Sequence, residues 1–192
     1  MHPGQIRTGE ATPRPIEPGE VNPEDYFWVK ACRAGRRVAV IDMPQTVLVR
    51  GLTGFLQVTE WGLHDRCFEI ASEPRGLLEE LRARHGSHPV ESCDSHGACA
   101  TGYQRLLDGL VEGARRKTDL LLDILALERW DLFACCFGES HCVGHQFWHF
   151  LDPSHPRHEA NAPFHDAIQT LYSLIDAGIG RLLEAAGPDA RV

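Results

Sequence analysis

The chain has 192 residues, 43% of them hydrophobic and 24% charged, which is the make-up of a globular domain with a core and not of a disordered chain. Lys and Arg number 19 against 27 Asp and Glu, a net charge of −8, and no basic stripe is present to follow a nucleic-acid duplex. No apolar run approaches the ~20 residues that span a bilayer, and the Pro/Gly-rich start, Met1 to Gly19, lacks the apolar segment of a secretory signal, so the reading is a cytoplasmic protein without a membrane span.

Residues 1–21 read as an extended lead-in, because Pro3, Pro13, Pro15 and Pro18 block helix. Residues 22–192 read as one partial α/β domain. Asn22-Pro23-Glu24-Asp25 offers an N-cap, a first-turn proline and two acids suited to the helix dipole, and Gly35 follows the helix they start. Arg37 to Asp42 is a short apolar run ending in an acid, the pattern of a buried strand, and Pro44 stops it. A second strand is predicted at Phe55 to Thr59, leading into Trp61-Gly62-Leu63-His64-Asp65. Ser72 and Pro74 open a helix through Leu77, Leu78 and Leu81 that closes at Gly86, and residues 87–101 have no period and read as loop.

Tyr103 to Arg129 carries apolar residues at helical spacing, with charges at Arg105, Asp108, Glu112, Arg115 and Asp119 opposite. Trp130 to Phe137 is a further buried strand, and Asp166 to Ala186 a further amphipathic helix ended by Gly187-Pro188. Helices alternating with short buried strands predict an α/β three-layer sandwich with a mainly parallel sheet. Ala190-Arg191-Val192 reads as the start of another strand, so the expectation is an incomplete domain.

Seven scattered cysteines without a CxxC pair read as free structural thiols. Histidine is the compositional outlier: of eleven, His141, His145, His149, His155, His158 and His165 fall within residues 141–165. Phe137 to His149 begins where a strand should end, the edge at which open α/β sheets place their chemistry. If a helix starts at 145, His145 and His149 share a face, and His141 in the preceding loop can join them. Neutral imidazoles suit Zn²⁺, with Zn–N near ~2.0–2.1 Å, and Glu139 is a further ligand or a partner that fixes an imidazole tautomer.

The stretch Glu139-Ser140-His141-Cys142-Val143-Gly144-His145 resembles the metal-binding turn of the type I phosphodiesterase/nucleotide pyrophosphatase group of the alkaline phosphatase superfamily. There a strand ends in Glu-Pro-Asp-x-x-Gly-His. Ser140 falls on the proline, His141 on the aspartate, and Gly144-His145 on the Gly-His pair, so the change at 141 keeps a coordinating group but removes a negative charge. The order of elements from residue 23 onward is similar too. The resemblance implies a metal-dependent hydrolase of small phosphoesters with His141, His145 and Glu139 as ligands to Zn²⁺, Mn²⁺ or Ca²⁺ being alternatives. The family's threonine or serine nucleophile and its later Asp-His-Gly ligands are not identifiable here, so the catalytic nucleophile is unassigned and little turnover is expected of this chain alone.

His149, Asp42, His64, Asp65 and His155 are candidates for substrate contact or for supporting the ligands. Asp152 to His158 could extend the histidine cluster or form a proline-stiffened loop, and Cys93-Asp94-Ser95-His96 with Cys99 lacks a partner pair for zinc. Two other function classes stand beside the hydrolase: a non-catalytic metal-binding or interaction module, and a cysteine hydrolase using Cys142.

Overall fold

A computed structural model describes residues 17–62, 68–91 and 100–192. After two single-turn 3-10 helices (Pro18–Glu20 and Pro23–Asp25), the elements are α1 (Phe27–Arg33), β1 (Val38–Ile41), β2 (Phe55–Thr59), β3 (Ala71–Glu73), α2 (Leu77–His85), α3 (Ala100–Leu127), β4 (Leu132–Cys135), α4 (Gly138–Leu151) and α5 (Ala167–Ala186). The strands form one sheet in the order β3-β2-β1-β4. β1 runs parallel to β2, with Val38 opposite Phe55, and parallel to β4, with Val38 opposite Leu132. β3 is antiparallel to β2, so the sheet is mixed where a mainly parallel one was expected. Three residues with one buried side chain give no alternating pattern, which is why β3 is invisible in the sequence.

Both faces of the sheet are covered. Trp28, Val29 and Cys32 of α1 pack with Val38, Val40 and Phe55 on one face. Leu78 and Leu81 of α2 and Leu120, Leu121 and Ile124 of α3 pack with Ala39, Ile41, Leu56 and Val58 on the other. A third cluster is helical: Leu110 and Ala114 of α3 meet Val143, Phe147 and Phe150 of α4 and Leu171 and Ile175 of α5.

Asn22 caps only the 3-10 turn at Pro23, its side chain accepting the Glu24 N–H at 3.3 Å, and the helix expected to start here begins instead at Phe27, after an extended Tyr26. Ser72 lies in β3, yet its hydroxyl accepts the Leu78 N–H at 2.9 Å in the first turn of α2 and satisfies a donor that the helix leaves open. β1 and β2 are joined by residues 42–54 without a helix; the buried Gln57 side chain ties this connection down by donating to Val47 O and accepting from Val49 N. Ala190 to Val192 form no strand, a correction to the expected one: they carry no ladder to a neighbour.

The largest correction concerns residues 138–151. They form one helix, with no loop before His145. Gly138, Ser140 and Gly144 are weak helix formers, but Glu139, Val143, Phe147 and Phe150 recur at helical spacing and all four are buried. That stripe begins on a carboxylate, which conceals it from a search for apolar positions.

Candidate functional site at the strand edge

β1, β2 and β4 run in the same direction, so Asp42, Glu60 and Cys136 leave the sheet on one edge. From β1 the chain moves outward to β2 and β3, then returns on the other side to β4. The crevice between the carboxyl ends of β1 and β4 is therefore a topological switch point, where open α/β sheets bind ligands. Asp42 and Glu60, at the ends of adjacent strands, both hold φ at 55°, a left-handed backbone uncommon outside glycine.

A buried charge network fills this crevice. The Lys117 ammonium, from the middle of α3, donates to Asp42 Oδ2 at 2.8 Å and to the Cys136 carbonyl at 3.0 Å, and lies 3.4 Å from Glu139 Oε2. None of the three charged side chains is exposed. Asp42 also accepts the N–H groups of Trp61 at 2.7 Å and Gly62 at 2.9 Å. His88 Nε2 lies 3.2 Å from Glu139 Oε1, and its Nδ1 lies 2.9 Å from the Val90 carbonyl and 3.1 Å from the Val90 N–H. Glu139 Oε2 has the charge of Lys117 beside it but no hydrogen bond.

Two glycines make the room. A Cβ on Gly62 would lie 2.8 Å from Lys117 Nζ, and one on Gly113 would lie 2.2 Å from His88 Nε2. Burial alone would push the Lys117 ammonium to lower pKa, but the Asp42 and Glu139 carboxylates outweigh it and hold the lysine above its ordinary range. Burial would likewise raise Glu139; Lys117 and the His88 hydrogen bond reverse that and hold it low. Both carboxylates therefore favour the charged form of Lys117.

The predicted site residues separate into three groups. Asp42 and Glu139 belong to the network. Glu139 does not face the same way as His141: positions two apart on a helix are about 200° apart around the axis, so the Glu139 side chain turns inward and that of His141 outward. His141 and His145 are brought together, both exposed on α4, with ring centroids 4.4 Å apart. His149, expected on their face, is instead buried against Tyr103 and Phe150, with ring centroids 5.5 Å and 3.8 Å away. Burial first, then nearby Arg157, pushes its imidazole to lower pKa.

His155 sits beyond the end of α4, its ring 6.0 Å from that of His149, and Nδ1 accepts the Arg157 N–H at 3.1 Å. His64, Asp65 and the Cys93 to Cys99 stretch lie outside the described residues. Cys142 is buried in the helical core, which removes it as an exposed nucleophile. Burial pushes the Cys135 thiol up to about 11 and raises Cys136 as well, so neither is an activated thiolate at neutral pH.

Sequence reasoning missed Lys117 and His88. Lys117 did leave a signal, because it stands on the apolar stripe of α3 between Ala114 and Leu121, where a lysine requires a buried counter-charge. His88 left none; its place is defined only by Gly113 and Glu139 across the fold.

As a donor set, His141 and His145 supply two imidazole nitrogens at i and i+4, a spacing that lets adjacent helical turns share one cation. Among the described residues no three His, Cys, Asp or Glu side chains form a metal-holding group. No protein-family model, curated protein or solved structure matches the chain.

Proposed function

We propose that the chain is part of a metal-dependent hydrolase of small phosphoesters, built like the type I phosphodiesterases on an alkaline-phosphatase-like three-layer α/β sandwich. His141 and His145 are two ligands to one divalent cation, Zn²⁺ being the best match to imidazole donors. The observation that carries this reading is the paired, exposed imidazoles at 4.4 Å on a helix that starts at the switch-point crevice. Both rings lie on the exposed face of α4. A cation bound there supplies Lewis-acid polarisation of a phosphoryl oxygen. The chain's own part is to hold and orient: α4 fixes the two rings one turn apart, and Glu139, anchored inward, fixes the first turn of α4. The nucleophile and any further ligands are not assigned to residues described here.

Cobalt(II) is a suitable probe, because thiolate ligands add a charge-transfer band that imidazole ligands do not. Titration of the reduced chain is expected to give one bound equivalent without that band, lost in His141→Ala and in His145→Ala. Uptake unchanged in both variants overturns the reading. Hydrolysis of bis(p-nitrophenyl) phosphate by the chain alone is expected to stay near background even with Zn²⁺ or Mn²⁺ added.

A further inference from the structure

The crevice between β1 and β4 has the features of a cation site. Two carboxylates, Asp42 and Glu139, and one carbonyl, Cys136 O, converge on a single point, screened from water. The ring faces of Trp61 and Phe137 lie 5.8 Å from that point, an arrangement that also favours positive charge. Glu139 Oε2 is buried and has no hydrogen-bond donor, the state of an oxygen that answers a charge more than a directed proton. What stands at the point is Lys117 Nζ, and Gly62 is cut back to hydrogen to admit it.

We propose that the Lys117 ammonium is the resident cation of this crevice, so that Asp42 and Glu139 take no exchangeable metal ion. Lys117 is then a positioning residue. Through Asp42 it holds the Trp61–Gly62 turn that leaves β2, and through Glu139 the first turn of α4, the helix that carries His141 and His145. A covalently tethered charge does this whether or not metal is supplied. The inference deepens the reading above by leaving one exchangeable cation, at the histidine pair, where two-metal hydrolases hold two. Charge supports it: with Lys117 the two carboxylates sum to −1, and without it to −2, which a divalent ion would neutralise.

The test is run with the histidine pair removed, so that either proposal can fail alone. Manganese(II), which favours oxygen ligands, is titrated into His141→Ala/His145→Ala and read by electron paramagnetic resonance. Expected is no bound equivalent that Asp42→Asn removes. Adding Lys117→Ala to the same background is expected to create one bound equivalent, lost again when Asp42→Asn is added. A lysine with a merely structural role would yield no such gain. A Mn²⁺ equivalent in the parent variant that Asp42→Asn abolishes overturns the inference. So does a Lys117→Ala variant that keeps its far-UV circular dichroism and gains no Mn²⁺. Should Lys117→Ala fail to fold, the comparison of parent with Asp42→Asn still decides.

Discussion

Lys117 is the residue on which the strand edge depends most. Its ammonium is fully buried, bonded to Asp42 and the Cys136 carbonyl and 3.4 Å from the Glu139 carboxylate, so removing it leaves two negative charges in a buried site. Breaking a buried pair by deleting one partner costs about 3–5 kcal/mol, which is the loss expected for Lys117→Met, read as a lower urea midpoint at unchanged slope. Glu139→Gln keeps an oxygen for His88 and loses only the charge, so it is expected to cost less, about 1–3 kcal/mol. The pH dependence follows from the directions of the two shifts. Lys117 is held above its ordinary range, so its contribution is whole below the unfolded lysine value of ~10.4 and fades as pH rises past the folded one. Glu139 is held low, so its contribution is whole above the unfolded value of ~4.3 and fades as pH falls through the folded one. The contributions of Lys117 and Glu139 are therefore both whole between about pH 5 and 10, and Glu139→Gln is expected to weaken the acid limb while leaving the alkaline limb in place. An acid limb as steep in the variant as in the parent would show that other carboxylates set it.

Among the elements, α3 and α5 pack most closely where side chains are smallest. Thr118 of α3 faces Gly178 of α5, and a Cβ at 178 would come 2.5 Å from Thr118 Oγ1 and 3.3 Å from Cγ2. Thr118 cannot swing aside, because it is buried and its hydroxyl donates to Ala114 O at 2.9 Å. Gly178→Ala therefore sets a helix-propensity gain of about 1 kcal/mol against an overpacking cost of about 1–3 kcal/mol, and a net destabilisation is expected. Thr118→Ala removes both close atoms and leaves a Cβ contact of 3.5 Å, so the double variant is expected to lose less than the two singles added together, by 1 kcal/mol or more. Additive losses in thermal or urea unfolding would refute the contact. The elements also differ in how far their sequences announce them. α3 and α5 have long amphipathic periods and β1 a continuous apolar run, and these are found where the patterns place them within a few residues. α4 breaks the rule because its buried stripe starts with Glu139, whose burial depends on a lysine from another helix. The same dependence explains the site: Asp42 and Glu139 stand at readable strand ends, whereas their joining through Lys117 and His88 is a property of the folded chain.

At the scale of the whole molecule, the three core clusters are not three independent units. α3 runs through two of them, giving Leu106, Leu110 and Ala114 to the helical cluster and Leu120, Leu121 and Ile124 to the sheet face beside α2. α5 does the same with Leu171 and Leu182, and Phe137, just past β4, packs against both clusters. The cluster on the α1 face of the sheet shares no residue with α3, but Val38 and Val40 alternate along β1 with Ala39 and Ile41 of the opposite face, so one strand backbone carries both. Losing either end of α3 should then bring down the sheet as well as the helices. Leu110→Ala and Leu121→Ala both remove a fully buried side chain, each at a cost of about 2–5 kcal/mol. Each variant is expected to unfold in a single transition. Tryptophan fluorescence, to which Trp28 and Trp61 contribute from the two sheet faces, and far-UV circular dichroism, dominated by α3, α4 and α5, should share one midpoint. If Leu110→Ala melted the helical signal at lower urea than the fluorescence, the helical cluster would be a separate cooperative unit, and the histidine pair on α4 could lose its geometry while the lysine network at the sheet edge stayed intact.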